Sequence, residues 1–214
     1  MREFLQINKS KLKFAFIFSS LVFSGLVLII FAIGFFNQQI PEISLFLTVL
    51  LGAGLGMPLF IILIGTLRGT WDIRKRKRAF SSKPYSELKN FGFVEQLKNK
   101  NNRWQFSEHV LIGEICDYKI LAEVDTQNAP NVIRFQAITE IENIGNDEIR
   151  RLTRKFEPYD IELDFDGVTK KIFIKDKRIT TIDQLLNDLK NFIEIIKREN
   201  FKPKITGHNS VYTQ

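Results

Sequence analysis

The chain has 214 residues, 44% of them hydrophobic, with 20 Phe, one Cys, and 31 Lys and Arg against 24 Asp and Glu. That length accommodates one ordinary domain and something extra, not two full domains, and the apolar fraction is too high for a disordered chain. Charged residues make up 26% of the chain, which excludes a wholly membrane-embedded protein, and a single Cys excludes an internal disulfide framework or a Cys-based zinc site.

The formal net charge of +7 is unevenly placed. Residues 1–78 contain 10 basic and 3 acidic residues, whereas residues 79–214 contain 21 of each. The whole excess therefore flanks apolar runs. That is a membrane pattern and argues against nucleic-acid binding, which needs a basic stripe on the folded part.

The first 13 residues read as a basic cytoplasmic N-terminus. Residues 14–36 are 23 in number and carry no charge; as a helix they would reach ~35 Å, enough to cross a hydrocarbon core of ~30 Å. Residues 43–67 are 25 more without charge. The linker 37–42 contains Pro41 and a polar cluster, which would stop the first helix and open a turn. Six residues can join antiparallel helices but cannot hold a domain, so the two spans are expected to form a transmembrane hairpin. A cleaved signal peptide has a core of only ~7–15 apolar residues and no second span behind it. Arg2, Lys9, Lys11 and Lys13 precede the first span, and Arg68, Arg74, Lys75, Arg76, Lys77 and Arg78 follow the second, while the loop has no basic residue and Glu42. Both ends are thus expected in the cytoplasm, inside an inner or plasma membrane, and the lone Cys116 suits a reducing compartment.

Within the second span, Gly52 and Gly56 form a GxxxG pattern, and Ser20 and Ser24 repeat the spacing in the first. Small residues let helices approach where lipid gives no hydrophobic drive. The four residues are expected at a helix-packing surface, either within the hairpin or against a second copy or partner helix. Pro58 is expected to kink the second span. Neither span holds an ionisable residue, which argues against a transporter acting alone.

Residues 68–80 are a polybasic juxtamembrane segment. Trp71 suits the interfacial belt, and Arg68, Trp71, Arg74, Lys75, Arg76, Lys77 and Arg78 are expected to contact anionic lipid headgroups, at about 1 kcal/mol per basic residue near the surface. Residues 81–200 then read as a cytoplasmic α+β domain. Ser81-Ser82-Lys83-Pro84 reads as a helix start, with Leu88 and Phe91 facing the core and Gly92 ending the helix. Residues 96–103 read as a polar loop, residues 104–115 as strand-rich and Cys116-Asp117 as a turn. Tyr118, Ile120, Ala122 and Val124 alternate along a strand. Residues 127–131 form a turn cluster. A third strand over 132–141 carries Ile133, Phe135, Ala137 and Ile141 on its apolar face.

Asn146-Asp147-Glu148 opens a helix whose acids lead and whose Arg150, Arg151, Arg154 and Lys155 follow, as the helix dipole favours; Ile149, Leu152 and Phe156 make its apolar stripe. Ile161, Leu163 and Phe165 alternate in a strand, Asp166-Gly167 turns, and 171–175 returns. Thr181-Ile182-Asp183-Gln184 resembles a capping box, followed by Leu185, Leu186, Leu189, Phe192, Ile193 and Ile196 at helix-face spacing. Residues 201–214 read as a flexible tail. The domain order is α-β-β-β-α-β-β-α, an antiparallel sheet with helices packed on it. In element order alone, over about 120 residues, it is similar to the fold of type III secretion chaperones; no motif accompanies the likeness, so it implies no functional residue.

Chemistry is sparsely signposted. His109 and His208 have no His at metal-pair spacing. Cys116 would need a base such as His109 across a hairpin. Asp164-Phe165-Asp166-Gly167 begins like a calcium loop but lacks the later ligands. Glu123 and Asp125 share a strand face, as an acid and base would. No phosphate loop, GxGxxG, GxSxG or HExxH occurs. No catalytic residue, metal or cofactor is assigned. The sequence points first to a membrane-anchored module that binds a protein partner or itself. The next readings are an accessory subunit acting through its spans and a membrane-tethered enzyme.

Overall fold

The computed structural model describes residues 1–37, 42–126, 131–140, 145–164, 167–176 and 178–204. The chain divides into two compact units, Met1–Trp71 with Asn99–Ser107, and Asp72–Lys98 with Glu108–Gln214.

The first unit is built on two long apolar helices. α1 (Arg2–Phe36) is one unbroken helix, so the basic N-terminus is not a separate segment. No Gly or Pro interrupts residues 2–24, and Phe4, Asn8, Lys11 and Leu12 are buried at the spacing of one helix face. The second helical run, Ile43–Ser81, comprises α2 (Ile43–Leu51), a π-helical turn (Gly52–Gly56) and α3 (Met57–Ser81). The π turn precedes Pro58, whose missing N–H cannot bond back to Gly54. The ladder widens instead: Met57 N–H donates to the Gly52 carbonyl, five residues back. The expected kink is therefore a π turn. The expected Pro41 turn lies outside the described residues.

Residues 99–107 belong to this unit although they join two strands in the chain. Asn8 accepts from the Ser107 N–H at 2.7 Å and donates to its carbonyl at 3.4 Å. The Lys11 ammonium donates to the carbonyls of Gln105, at 2.7 Å, and Asn99. Phe106 stands edge-on to Phe4 at 5.0 Å, and Trp104 edge-on to Phe14 and Phe18 at 5.0 and 5.1 Å.

The second unit is a six-stranded antiparallel sheet in the order β1-β2-β3-β4-β6-β5, with β1 (Val94–Lys98), β2 (Glu108–Ile115), β3 (Tyr118–Val124), β4 (Val132–Ile138), β5 (Ile161–Asp164) and β6 (Gly167–Phe173). Cys116 and Asp117 form the expected β2–β3 turn, both at positive φ, 50° and 69°, as a two-residue type I′ hairpin demands. Tyr118, Ile120, Ala122 and Val124 share the buried face with Ile133, Phe135 and Ala137. α5 (Ile182–Arg198) lays Leu185, Leu189, Phe192, Ile193 and Ile196 into the same core, and α4 (Asn146–Phe156) adds Leu152 and Phe156. The capping box forms in full, with Thr181 accepting from Gln184 N–H and the Gln184 side chain accepting from the Thr181 N–H.

Several expectations are corrected. β1 is an extra strand where a polar loop was expected; as an edge strand it needs no second apolar face. The helix expected after Pro84 is a 3-10 helix, Tyr85–Phe91. Tyr85 and Leu88, three apart, share its buried face, while Phe91, its last residue before the left-handed Gly92, is 46% exposed. Ile149 is exposed beside its buried stripe-mates. The return strand begins at Gly167, not Lys171, and pairs with β4 from Val132↔Phe173 to Ile138↔Gly167. The chain also stays attached beyond Asn200. Phe201 is buried and accepts from the Tyr118 hydroxyl at 2.6 Å, and Pro203 bridges Thr139. Ile141, Phe165, Asp166, residues 127–130 and the tail from 205 lie outside the described residues.

Gly167 is the tightest point of the sheet: a Cβ there would fall 2.1 Å from the Ala137 carbonyl oxygen. Backbone cannot yield as a flexible side chain does, so Gly167→Ala is expected to destabilise the protein by about 2–3 kcal/mol. Thermal unfolding of the full-length protein in detergent, followed by circular dichroism, checks it.

Candidate functional site

The last turns of α3 do not behave as a uniformly lipid-facing basic string. Ile73, Arg76, Lys77 and Phe80 fall at i, i+3, i+4 and i+7, one face of the helix. Ile73 and Arg76 are buried, and Phe80 packs against the core. Of the seven residues expected at lipid headgroups, Arg68, Trp71, Arg74, Lys77 and Arg78 are exposed and Lys75 is half-buried. Arg76 is withdrawn, at 5% exposure, so the headgroup expectation is corrected there. It sits at a core-facing position between Ile73 and Phe80, and Glu108 of β2 accepts from its Nη2 at 2.6 Å.

β1 and β2 supply the rest of the site. Their register pairs Glu95 with Leu111 and Leu97 with His109, which puts Glu95 and His109 on one face as diagonal neighbours. Glu95 lies 2.9 Å from His109 Nδ1 and accepts from the Lys89 ammonium at 3.1 Å. Burial pushes the Glu95 carboxyl up, but the Lys89 hydrogen bond and the charges of Lys89, His109 and Lys77 outweigh it. The carboxyl is held below the usual carboxylate range. These groups line a cavity of about 270 Å³ with Ile73, Phe80 and Leu111 as its apolar wall. Arg76 also lines it, and the Arg76 Nε is buried without a hydrogen-bond partner.

A second cavity, about 380 Å³, lies between β6 and α5. Among the charges that line it, Lys170 pairs with Asp188 at 3.3 Å and Arg178 with Asp176 at 2.7 Å. Tyr85, pushed up to about 12 by burial and by Asp176 and Asp188, stays neutral at physiological pH.

The residues weighed for catalysis are not brought together. Cys116 is exposed in its turn, seven residues along β2 from His109, or ~23 Å at strand rise. Glu123 pairs with Lys98 at 2.6 Å, and Asp164 with Arg134 at 2.7 Å. His208 lies outside the described residues. Among the described residues no group of three or more His, Cys, Asp or Glu is placed to hold a metal.

The helix-packing residues divide. A Cβ at Gly54 would come 2.5 Å from the Ser24 hydroxyl, whereas one at Gly52 or Gly56 would meet nothing within 4 Å. Gly54 and Ser24 thus make the close approach inside the chain, and Gly52 and Gly56 face outward. The Ser20 hydroxyl is buried without a hydrogen-bond partner. Lys89, Glu95 and Glu108 are the site residues that sequence reasoning missed, and Arg76 was given a headgroup role instead; the apolar Ile73 and Phe80 flanking the basic run were the available signal for its true position. No family model, curated protein or solved structure matches the chain.

Glu95→Gln is expected to lower the unfolding temperature at pH 7, with the gap to the unaltered protein closing in acid. A carboxylate whose folded-state pKa is lowered contributes fully above its unfolded value of ~4.3, and that contribution is lost as pH falls through the lower folded value. Melting both proteins between pH 7 and pH 3 checks it.

Proposed function

We propose that this chain is an integral membrane protein whose two apolar helices form a spanning hairpin. Both ends and the α+β domain lie in the cytoplasm, and the protein serves as an anchored assembly module for a protein partner or a second copy of itself. One observation carries the membrane reading. The two helices are 35 and 39 residues long, and only 6% and 11% of their most apolar stretches are buried. The core helix of a soluble protein hides such a surface, whereas lipid accepts it. Trp104 supports the level of the boundary. It is 70% exposed and rests on Phe14 and Phe18, the first turns of the charge-free run, where interfacial tryptophans sit. The polybasic segment that follows the second apolar run in the sequence supports the orientation.

The runner-up reading, an accessory subunit assembling through its spans, is favoured by the outward Gly52 and Gly56. Open glycines in an apolar helix give another helix a place for close approach. Gly52→Leu/Gly56→Leu is expected to abolish in-cell crosslinking to a neighbour while the domain keeps its unfolding temperature. Unchanged crosslinks would leave the domain surface as the interface.

Orientation is tested without introducing a cysteine, because exposed Cys116 is the sole thiol. A membrane-impermeant maleimide is expected to label it only after cells are permeabilised. Labelling in intact cells would reverse the orientation, and full extraction by carbonate would remove the membrane reading.

A further inference from the structure

We propose that the cavity between the last turns of α3 and the β1–β2 edge binds a phosphate ester that carries an adjoining apolar group. The argument starts from Arg76. A guanidinium has five N–H donors in a planar fork, and Glu108 engages one of its nitrogens, Nη2. Nε is shut away from solvent with no hydrogen-bond partner, although leaving a buried donor unmet costs about 1–3 kcal/mol. Arg76 lines the cavity, and arginine is the residue whose fork matches phosphate geometry.

Charge points the same way. Arg76, Lys77 and Lys89 line the cavity against one carboxylate, Glu95, with His109 beside it. Glu108 is engaged by Arg76, and Glu95 is shared among Lys89, His109 and Lys77. The charged lining is thus predominantly basic. The space, about 270 Å³, is several times the ~30 Å³ that a water occupies in the liquid. Ile73, Phe80, Val110 and Leu111 form an apolar wall, which suits the carbons of an ester better than a bare ion. Two populations of basic residues thus share one helix. Arg74 and Arg78 are exposed and line no part of the cavity, whereas Arg76 and Lys77 face it. The ester could be an acidic phospholipid headgroup or a soluble phosphate ester. Only the lipid source rests on the membrane reading above.

The test uses the full-length protein in a neutral detergent. Its thermal unfolding is followed with dioctanoyl phosphatidylglycerol, with dioctanoyl phosphatidylcholine, and with glycerol 1-phosphate. Phosphatidylglycerol is expected to raise the unfolding temperature saturably, as binding to the folded state must, and phosphatidylcholine is not. Lys77→Gln/Lys89→Gln, both at solvent-reachable positions, is expected to weaken the apparent affinity about tenfold or more. Arg74→Gln/Arg78→Gln removes the same charge away from the cavity and is expected to leave it within about twofold. Glycerol 1-phosphate acting as strongly as the lipid would support the site and assign it to a soluble ester. An effect of phosphatidylglycerol alone would assign it to lipid. No saturable shift with any phosphate, or equal loss in the two double variants, would overturn the proposal, the second outcome marking diffuse adsorption to the basic belt. Carbonate extraction reports on the membrane reading separately.

Discussion

A buried lysine held by backbone carbonyls is the constraint on which the first unit turns. Lys11 is 5% exposed, and its ammonium is satisfied by backbone carbonyls of residues 99 and 105. A charge taken from water costs several kcal/mol unless its donors are met, so those carbonyls must be held where Lys11 can reach them. Asn8 holds them one turn earlier by a reciprocal pair of bonds to Ser107. This explains why the segment between β1 and β2 is nine residues long, where antiparallel neighbours are usually joined by two to five. The segment is a fitted part whose Phe106 and Trp104 find aromatic partners along α1, not slack.

The same economy governs Arg76. In a run of six basic residues out of eleven, its charge is unremarkable by composition, and only helical phase distinguishes it. Ile73 and Phe80 set the buried face, and an arginine between them must find an acceptor; Glu108 supplies it. The helix therefore has one basic face that solvent or lipid can meet and another that lines a cavity.

Legibility from sequence followed how local each signal is. The charge-free runs, the alternation of Tyr118 to Val124, the Cys116-Asp117 turn and the Thr181 capping box rest on neighbours along the chain, and each reads directly. β1 was illegible because an edge strand with Gln96 and Lys98 satisfies only half the usual pattern. Phe91 was misread because it is the last residue of a short 3-10 helix, beside the left-handed Gly92, and stays at the surface although three residues per turn align it with Tyr85 and Leu88. Gly52 and Gly56 were expected to pack within the hairpin or against another helix; within the chain the close approach falls to Gly54 and Ser24, and Gly52 and Gly56 are left facing outward. Lys11, Asn8 and Arg76 depend on partners 32 to 99 residues away, which no local window contains. The fold class of the second unit was thus readable, while the candidate site, assembled from α3, β1 and β2, was not.

The two outer strands carry one more implication. β1 is only five residues long and bears Glu95 and Lys98; β5 is four long and bears Glu162 and Asp164. Short, charged margins resist the addition of a foreign strand. Proteins tethered to a surface meet one another at high local density, where open sheet margins would nucleate fibrous aggregates. In the anchored state proposed above, these margins would keep the sheet at six strands and leave contacts to side chains, not to backbone pairing.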